Sequence, residues 1–137
     1  MEQARVTEFR YTNGRVVMDY SLDDIVAFES SQKYTEVVLR KGDRRPILDI
    51  SLIELEKRYG DLFIRSHRGV LVRRDEVKAM MKTRTYGMYD VLLNNGHVSP
   101  ISRRQKAVIR HTVKNNELNR FLADIAAKES ANAPQSN

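Results

Sequence analysis

Phe63-Ile-Arg-Ser-His-Arg68-Gly-Val-Leu-Val72 is the stretch on which the fold class turns. Phe63 to Arg65 and Gly69 to Arg73 are short runs rich in aromatic and branched residues, and such runs between turn signals read as strands. Alternation puts Arg65 and His67 on one face, Ser66 and Arg68 on the other. Two guanidiniums and an imidazole beside an apolar strand make an organised basic patch. Two roles fit the spacing equally. The patch can meet an external anion, or its arginines can satisfy backbone carbonyls or an acid such as Asp61.

Working outward, the same strand signals recur along the chain. Val6 to Tyr11 and Arg15 to Tyr20 flank Asn13-Gly14, a two-residue hairpin turn. Asp24 to Phe28 and Tyr34 to Arg40 form a second pair, and Lys41-Gly42-Asp43 turns the chain into Pro46 to Ile50. Later runs are Val77 to Arg84, Met88 to Leu93 and Val98 to Ile101, with Asn95-Gly96 as a further hairpin signal. Ser51-Leu-Ile-Glu54 is a capping box, with Ile50 and Leu55 at the staple positions. Its helix is expected to end at Tyr59, before Gly60. Ser102 can cap a second helix from Arg103 to about Lys114. A third helix carries the stripe Leu118, Phe121, Leu122, Ile125 and Ala126. The composition turns small and polar from Ser130, as in a frayed tail.

The chain has 137 residues, a net charge of +6 and 41% apolar residues. That is one domain with enough apolar material for one core. A basic balance favours a polyanionic partner. No cysteine is present, so disulfides, thiolate nucleophiles and thiolate zinc sites are excluded. No apolar run approaches a bilayer span. The start, Met1 to Arg5, lacks the apolar core of a secretory signal. A cytoplasmic protein without membrane contact is expected.

Catalytic patterns are missing from the sequence. His67, His97 and His111 form no H-x-x-x-H or H-E-x-x-H pattern, and the six glycines stand singly rather than in a phosphate loop. Asp23-Asp24 reads as a solvated turn, and Ser30, Ser31 and Ser99 lack a nucleophile-elbow context. No enzyme and no cofactor are expected.

Ser102-Arg103-Arg104 is the second informative segment. Helix N-termini favour anions, so arginines there conflict with the helix unless an external phosphate resolves the conflict. Arginine can also take guanine O6 and N7 together. A solvated helix start with incidental charge is the plain alternative. Ser30-Ser-Gln-Lys33, followed by Tyr34, is a polar loop between two strands, either an ordinary hairpin or a recognition loop.

Taken in order, Ile25-Val-Ala-Phe-Glu29, Tyr34-Thr-Glu-Val37, Leu48-Asp-Ile-Ser-Leu52 with Leu55-Glu56, Phe63-Ile-Arg-Ser-His-Arg68, Val70-Leu-Val72 and Ile101-Ser-Arg-Arg104 resemble the LytTR family of bacterial DNA-binding domains. The likeness runs from about Val16 to Val113. It implies a mainly β fold, an elongated β-β-β arrangement of about ten strands with a short internal helix and C-terminal helices. The chain then divides into a DNA-binding unit over residues 1–114, with an amphipathic helix read from periodicity over 115–129 and a flexible tail read from composition over 130–137. The resemblance also implies that loops, not a recognition helix, enter successive major grooves of double-stranded DNA. The family's contact positions fall on the Ser31-to-Tyr34 loop, within which we choose Gln32 and Lys33 beside Tyr34, on His67 and Arg68, and on Ser102 and Arg103, with Arg104 beside them. Arg40, Lys41, Arg44, Arg45 and Arg73 then add phosphate attraction.

The resemblance further implies a transcriptional regulator that binds paired direct repeats as a homodimer on DNA. Family members usually form the output half of a response regulator, and this chain is too short to include a receiver or sensor domain. It is a stand-alone regulator, a protein with another sensing mechanism, or an excised output domain. Arg73 stands where many members carry asparagine. The stretch from Glu117 to Lys128 passes the usual family end, and its stripe is expected to pack back on the sheet, with a dimer contact as the runner-up. Two rivals fit the charge: an RNA-binding module, with Tyr34, Tyr86 and Tyr89 as stacking candidates, and a protein-interaction domain.

Overall fold

The computed structural model describes residues 5–10 and 17–132, with side chains from Tyr20 to Ala131. Among these residues ten strands form three antiparallel sheets. Strands β1 (Arg5–Arg10) and β2 (Val17–Ser21) pair with each other. The Asn13-Gly14 turn expected between them lies outside the described residues.

The central sheet has five strands: β3 (Ile25–Ser31), β4 (Tyr34–Leu39), β5 (Ile47–Leu48), β6 (Phe63–His67) and β7 (Val70–Arg73), in the order β5-β4-β3-β7-β6. Strands β8 (Val77–Lys82), β9 (Tyr89–Leu93) and β10 (Val98–Ile101) form the third sheet, with β9 in the middle. Helix α1 spans Leu52–Tyr59 and α2 spans Lys106–Asn132.

Both faces of the central sheet are buried. On one face Phe28, Val37, Phe63 and Leu71 pack with Leu52 and Leu55 of α1. On the other, Val26, Val38, Ile64 and Val72 meet Val77, Val91 and Ile101 of the three-stranded sheet and Ile109 of α2. The layers are therefore α1, five strands, three strands, then α2. Strict alternation would put Ile25 and Ala27 on one face. A register shift between them places Val26 and Ala27 together in the second core, and Phe28 returns to the first.

Helix α1 begins as its capping box dictates. Ser51 Oγ accepts from the Glu54 N–H at 3.2 Å. The Glu54 carboxylate turns instead to Arg58 Nε at 3.3 Å. Gly60 follows the helix, but not as a left-handed cap: its φ is −62°. A Cβ there would lie 2.7 Å from the Glu56 carbonyl oxygen, so close approach requires the glycine.

The C-terminal region departs from expectation. Arg103–Gln105 is a 3-10 turn, and α2 then runs 27 residues without a break, replacing two separate helices. Ser130 to Asn132, expected to fray, are its last turn. Its first half docks on the protein: Ile109 and Thr112 are buried, and Asn116 Nδ2 donates to the Arg74 and Val77 carbonyls at 2.8 Å each. Every residue from Glu117 to Ala131 is exposed. At about 3.6 residues per turn, Leu118 lies half a turn round the helix from Ile109. The stripe of Leu118, Phe121, Leu122 and Ile125 thus points away from the sheet and does not pack back on it.

Candidate nucleic-acid interface

Ser66 brings the two basic segments together. It is fully buried, and its Oγ donates to the Pro100 carbonyl at 3.2 Å. Its own carbonyl accepts from the Ser102 N–H at 2.8 Å. This pair of bonds sets the end of β6 beside the end of β10. His67, Arg68, Ser102, Arg103 and Arg104 then line one groove of about 610 Å³, together with Glu56, Arg65 and Gln105.

The arginines of this groove are of two kinds. Arg65 faces α1, where Nη2 donates to Glu56 at 2.8 Å and Nη1 donates to the Arg68 carbonyl. The structural role weighed for it holds, with Glu56 rather than Asp61 as the acid. Arg68 does not share a face with Ser66. The strand ends at His67 after a register shift, and Arg68 projects from the turn, exposed. Arg103 and Arg104 are exposed as well. Among the described residues no acid pairs with Arg68, Arg103 or Arg104. Glu56, the one acid lining the groove, is held by Arg65.

His67 Nδ1 accepts the Gly69 N–H at 3.1 Å. In a neutral ring the proton then sits on Nε2, which is left as a donor. Ser102 adopts the extended backbone of an N-cap, yet its hydroxyl makes no capping bond. The first turn of α2 contains no acidic residue. Positive side chains, with no acid among them, thus gather at one helix start.

Gln32, Lys33 and Tyr34 are not in this groove. They form the tip of the β3–β4 hairpin, where Ser31 pairs with Tyr34 and Gln32 takes a φ of +54°. That left-handed conformation is uncommon for a residue other than glycine. The Ser30 N–H donates to the Gly69 carbonyl at 2.8 Å. The hairpin tip therefore emerges next to the Arg68 turn, as a second projection.

Three of the arginines expected to attract phosphate are committed elsewhere. Arg73 is 3% exposed. Its Nε donates to the Ile25 carbonyl at 2.7 Å, Nη2 donates to the Leu22 carbonyl, and the guanidinium lies 4.9 Å from the Phe63 ring centre. Burial pulls its pKa down from the usual arginine value. Arg40 is paired with Glu76 and also donates to the Asp23 carbonyl. Arg45 bridges Glu29 at 3.0 Å and Glu36 at 3.9 Å.

Glu29, His97 and Ser99 form a cluster that superficially resembles a hydrolytic triad. His97 Nε2 lies 2.8 Å from Glu29 Oε2 and 2.9 Å from Ser99 Oγ, so one nitrogen faces both partners. The Ser99 hydroxyl donates to the Glu29 carboxylate at 2.6 Å and is buried. A relay needs opposite ring nitrogens for acid and nucleophile, so this arrangement is a clamp between two sheets. Burial alone would raise the Glu29 pKa; hydrogen bonds from His97 and Ser99 and the charges of His97 and Arg45 outweigh it and hold the carboxyl at about 2. Among the described residues no group of three or more metal-ligating side chains is gathered. No described helix is long and apolar enough to cross a membrane.

The three tyrosines do not make a stacking platform. Tyr34 sits on the β3–β4 hairpin and Tyr86 on the turn after β8. Tyr89 lies under the Lys106 amine at 4.4 Å.

A model of the LytTr DNA-binding domain family matches residues 15–114. The chain is 32% identical over 91 residues to the positive alginate biosynthesis regulatory protein of Pseudomonas aeruginosa. That match covers 65% of this chain and 36% of the relative, so the chain spans about a third of that protein's length. Its fold matches that of the LytTr DNA-binding domain of a putative methyl-accepting/DNA response regulator from Bacillus cereus. The TM-score is 0.63 at 24% identity, over 82% of this chain and 98% of that one. With the mainly β architecture, the layered sheets and a family match across most of its length, this chain belongs to the LytTr family of DNA-binding domains.

Proposed function

We propose that this chain is the sequence-specific DNA-reading part of a transcriptional regulator. Loops rather than a helix enter the major groove of duplex DNA. Arg68 and Arg103 read base edges, and His67, Ser102 and Lys33 contact bases or phosphates nearby. Gln32 and Tyr34 belong to the same hairpin contact as Lys33. Arg104, Lys41 and Arg44 supply phosphate attraction. Residues 1–114 are the DNA-binding unit, and 115–129 are an appended amphipathic segment. Two copies occupy paired direct repeats as a homodimer on DNA, in the bacterial cytoplasm, under the control of a receiver or sensor domain.

One observation carries this reading. The Ser66–Ser102 link sets two arginine-bearing turns along a single groove whose only acid is already neutralised by Arg65. Such a surface draws in a polyanion and leaves two planar guanidiniums to discriminate within it.

Binding-site selection from random duplexes tests the reading directly. The expected product is a pair of repeated half-sites in the same orientation, bound by two copies. Arg68→Ala and Arg103→Ala should each cost about 1–3 kcal/mol on the selected site and relax base choice at one position. Parental affinity in both variants would overturn the assignment. Preference for single-stranded RNA over the selected duplex would replace it with the RNA-binding reading.

A further inference from the structure

We propose that the turn joining β8 to β9 grips the DNA backbone beside the Arg103 groove, through Lys82, Arg84 and Tyr86. The proposal rests on the DNA-reading role argued above and adds a contact that this role does not require.

Register places the turn. Tyr89 pairs with Lys82 on one side and with Ile101 on the other. Residues 83–88 therefore extend beyond Ile101, at the end of the sheet where Ser102 to Gln105 leave it. Lys106 fixes the two together: its amine lies 4.4 Å from the Tyr89 ring centre and 3.4 Å from the Gly87 carbonyl oxygen. The turn shares an end of the molecule with Arg103 and Arg104, and it is held there.

Its shape is fixed from within. The Thr83 N–H donates to the Met88 carbonyl at 3.1 Å, and the Met88 N–H donates to the Thr85 carbonyl at 3.1 Å. Thr83 Oγ1 accepts from the Thr85 N–H at 3.2 Å. Gly87 supplies the left-handed residue, at φ +78°. A turn so tied needs little further ordering of its backbone on binding.

Its chemistry is that of a phosphate contact. No acidic residue occurs between Glu76 and Asp90, whereas Lys78, Lys82 and Arg84 all do. Lys82 and Arg84 make no ion pair among the described residues. They line a groove of about 560 Å³ with Tyr86 and Lys106. Tyr86 is 99% exposed. An aromatic side chain left in water at a basic tip is not there for packing, while its hydroxyl can donate to a phosphate oxygen.

The test compares the parent with the double variant Lys82→Ala/Arg84→Ala on the selected duplex, by fluorescence anisotropy across a salt series. Loss of two phosphate contacts should flatten the slope of log affinity against log salt by roughly 2. Affinity should fall by about tenfold or more at low salt, with base preference unchanged. A duplex trimmed on the side nearest the Arg103 half-contact should erase the difference between parent and variant. Lys82→Arg/Arg84→Lys keeps both charges and should restore the slope. Thermal melting of the double variant should match the parent, because both side chains are exposed. Parental slope and affinity in a folded double variant would overturn the proposal and leave the groove reading intact. Altered base preference would also overturn it, as the turn would then read bases. A parent that binds no duplex would sink the groove reading itself.

Discussion

Arg73 closes β7 and Arg103 opens the turn after β10, and the same side chain does different work in the two places. At the Arg73 end the guanidinium is enclosed. Two carbonyls of the chain entering β3 accept hydrogen bonds from it, and Phe63, itself 5.0 Å from Phe28 between ring centres, covers its face. At the Arg103 end no acid among the described residues pairs with the charge. The contrast teaches that arginine content says little about DNA attraction until each guanidinium's partners are known. Of the arginines that sequence would enlist for phosphate, Arg40, Arg45 and Arg73 hold the protein together.

The comparison breaks first at Arg73. Arg73→Ala removes a charged donor from two carbonyls, leaving Leu22 only the Ile25 N–H, and urea denaturation should show a loss of about 2–4 kcal/mol. Affinity per folded molecule should not change. Arg73→Lys should recover only part of the loss, since an ammonium lacks the planar fork that reaches both carbonyls. A destabilised Arg103→Ala, beyond about 0.5 kcal/mol, would erase the distinction, because an exposed unpaired residue should not matter to folding.

The Glu29 clamp offers a sharper, pH-dependent version. Its folded pKa of about 2 lies below the ordinary value of 4.5. A depressed carboxyl contributes stability that is present above the unfolded value and lost as pH falls through the folded one. Glu29→Gln should therefore cost about 1–2 kcal/mol at neutral pH. The gap to the parent should close between pH 4.5 and about 2. A gap that persisted at the acid end would mean that the carboxylate charge is not what the clamp uses.

The smallest effect belongs to the outer half of α2. Leu118→Ser/Phe121→Ser should shift monomer stability by no more than about 0.5 kcal/mol, because both side chains are already exposed. A large loss would show that the stripe is covered in solution.

Much of the fold was legible because its signals are local. The Ser51 cap, the Asn95-Gly96 turn and the strand runs each depend on a few adjacent residues. The paired basic segments were legible as segments too. Partnerships across the chain were not. Arg73 meets a carbonyl 48 positions away, and the Ser66–Ser102 link joins strands of different sheets. No spacing rule encodes such contacts. The unbroken α2 was missed because a stripe suggests a second surface to cover it, and its half-turn offset from Ile109 becomes visible only once the helix is continuous. The Lys82 to Tyr86 turn was not legible as a contact, because Lys82 and Arg84 fall in the Val77 to Arg84 strand run and Tyr86 figured only as a stacking candidate, until the register sets them beside Arg103.

The Ser66–Ser102 bond has a further consequence for the proposed role. It is made by backbone atoms, so among substitutions at Ser66 or Ser102 only Ser102→Pro removes it directly. It joins the two turns as a hinge pin joins two plates, and the separation between Arg68 and Arg103 becomes a property of the fold rather than of either loop. If Arg68 and Arg103 read DNA as proposed, a protein built this way would work as a calliper. It would register how far apart two features on the double helix lie, and a site with the right bases one step out of place would be refused on distance alone.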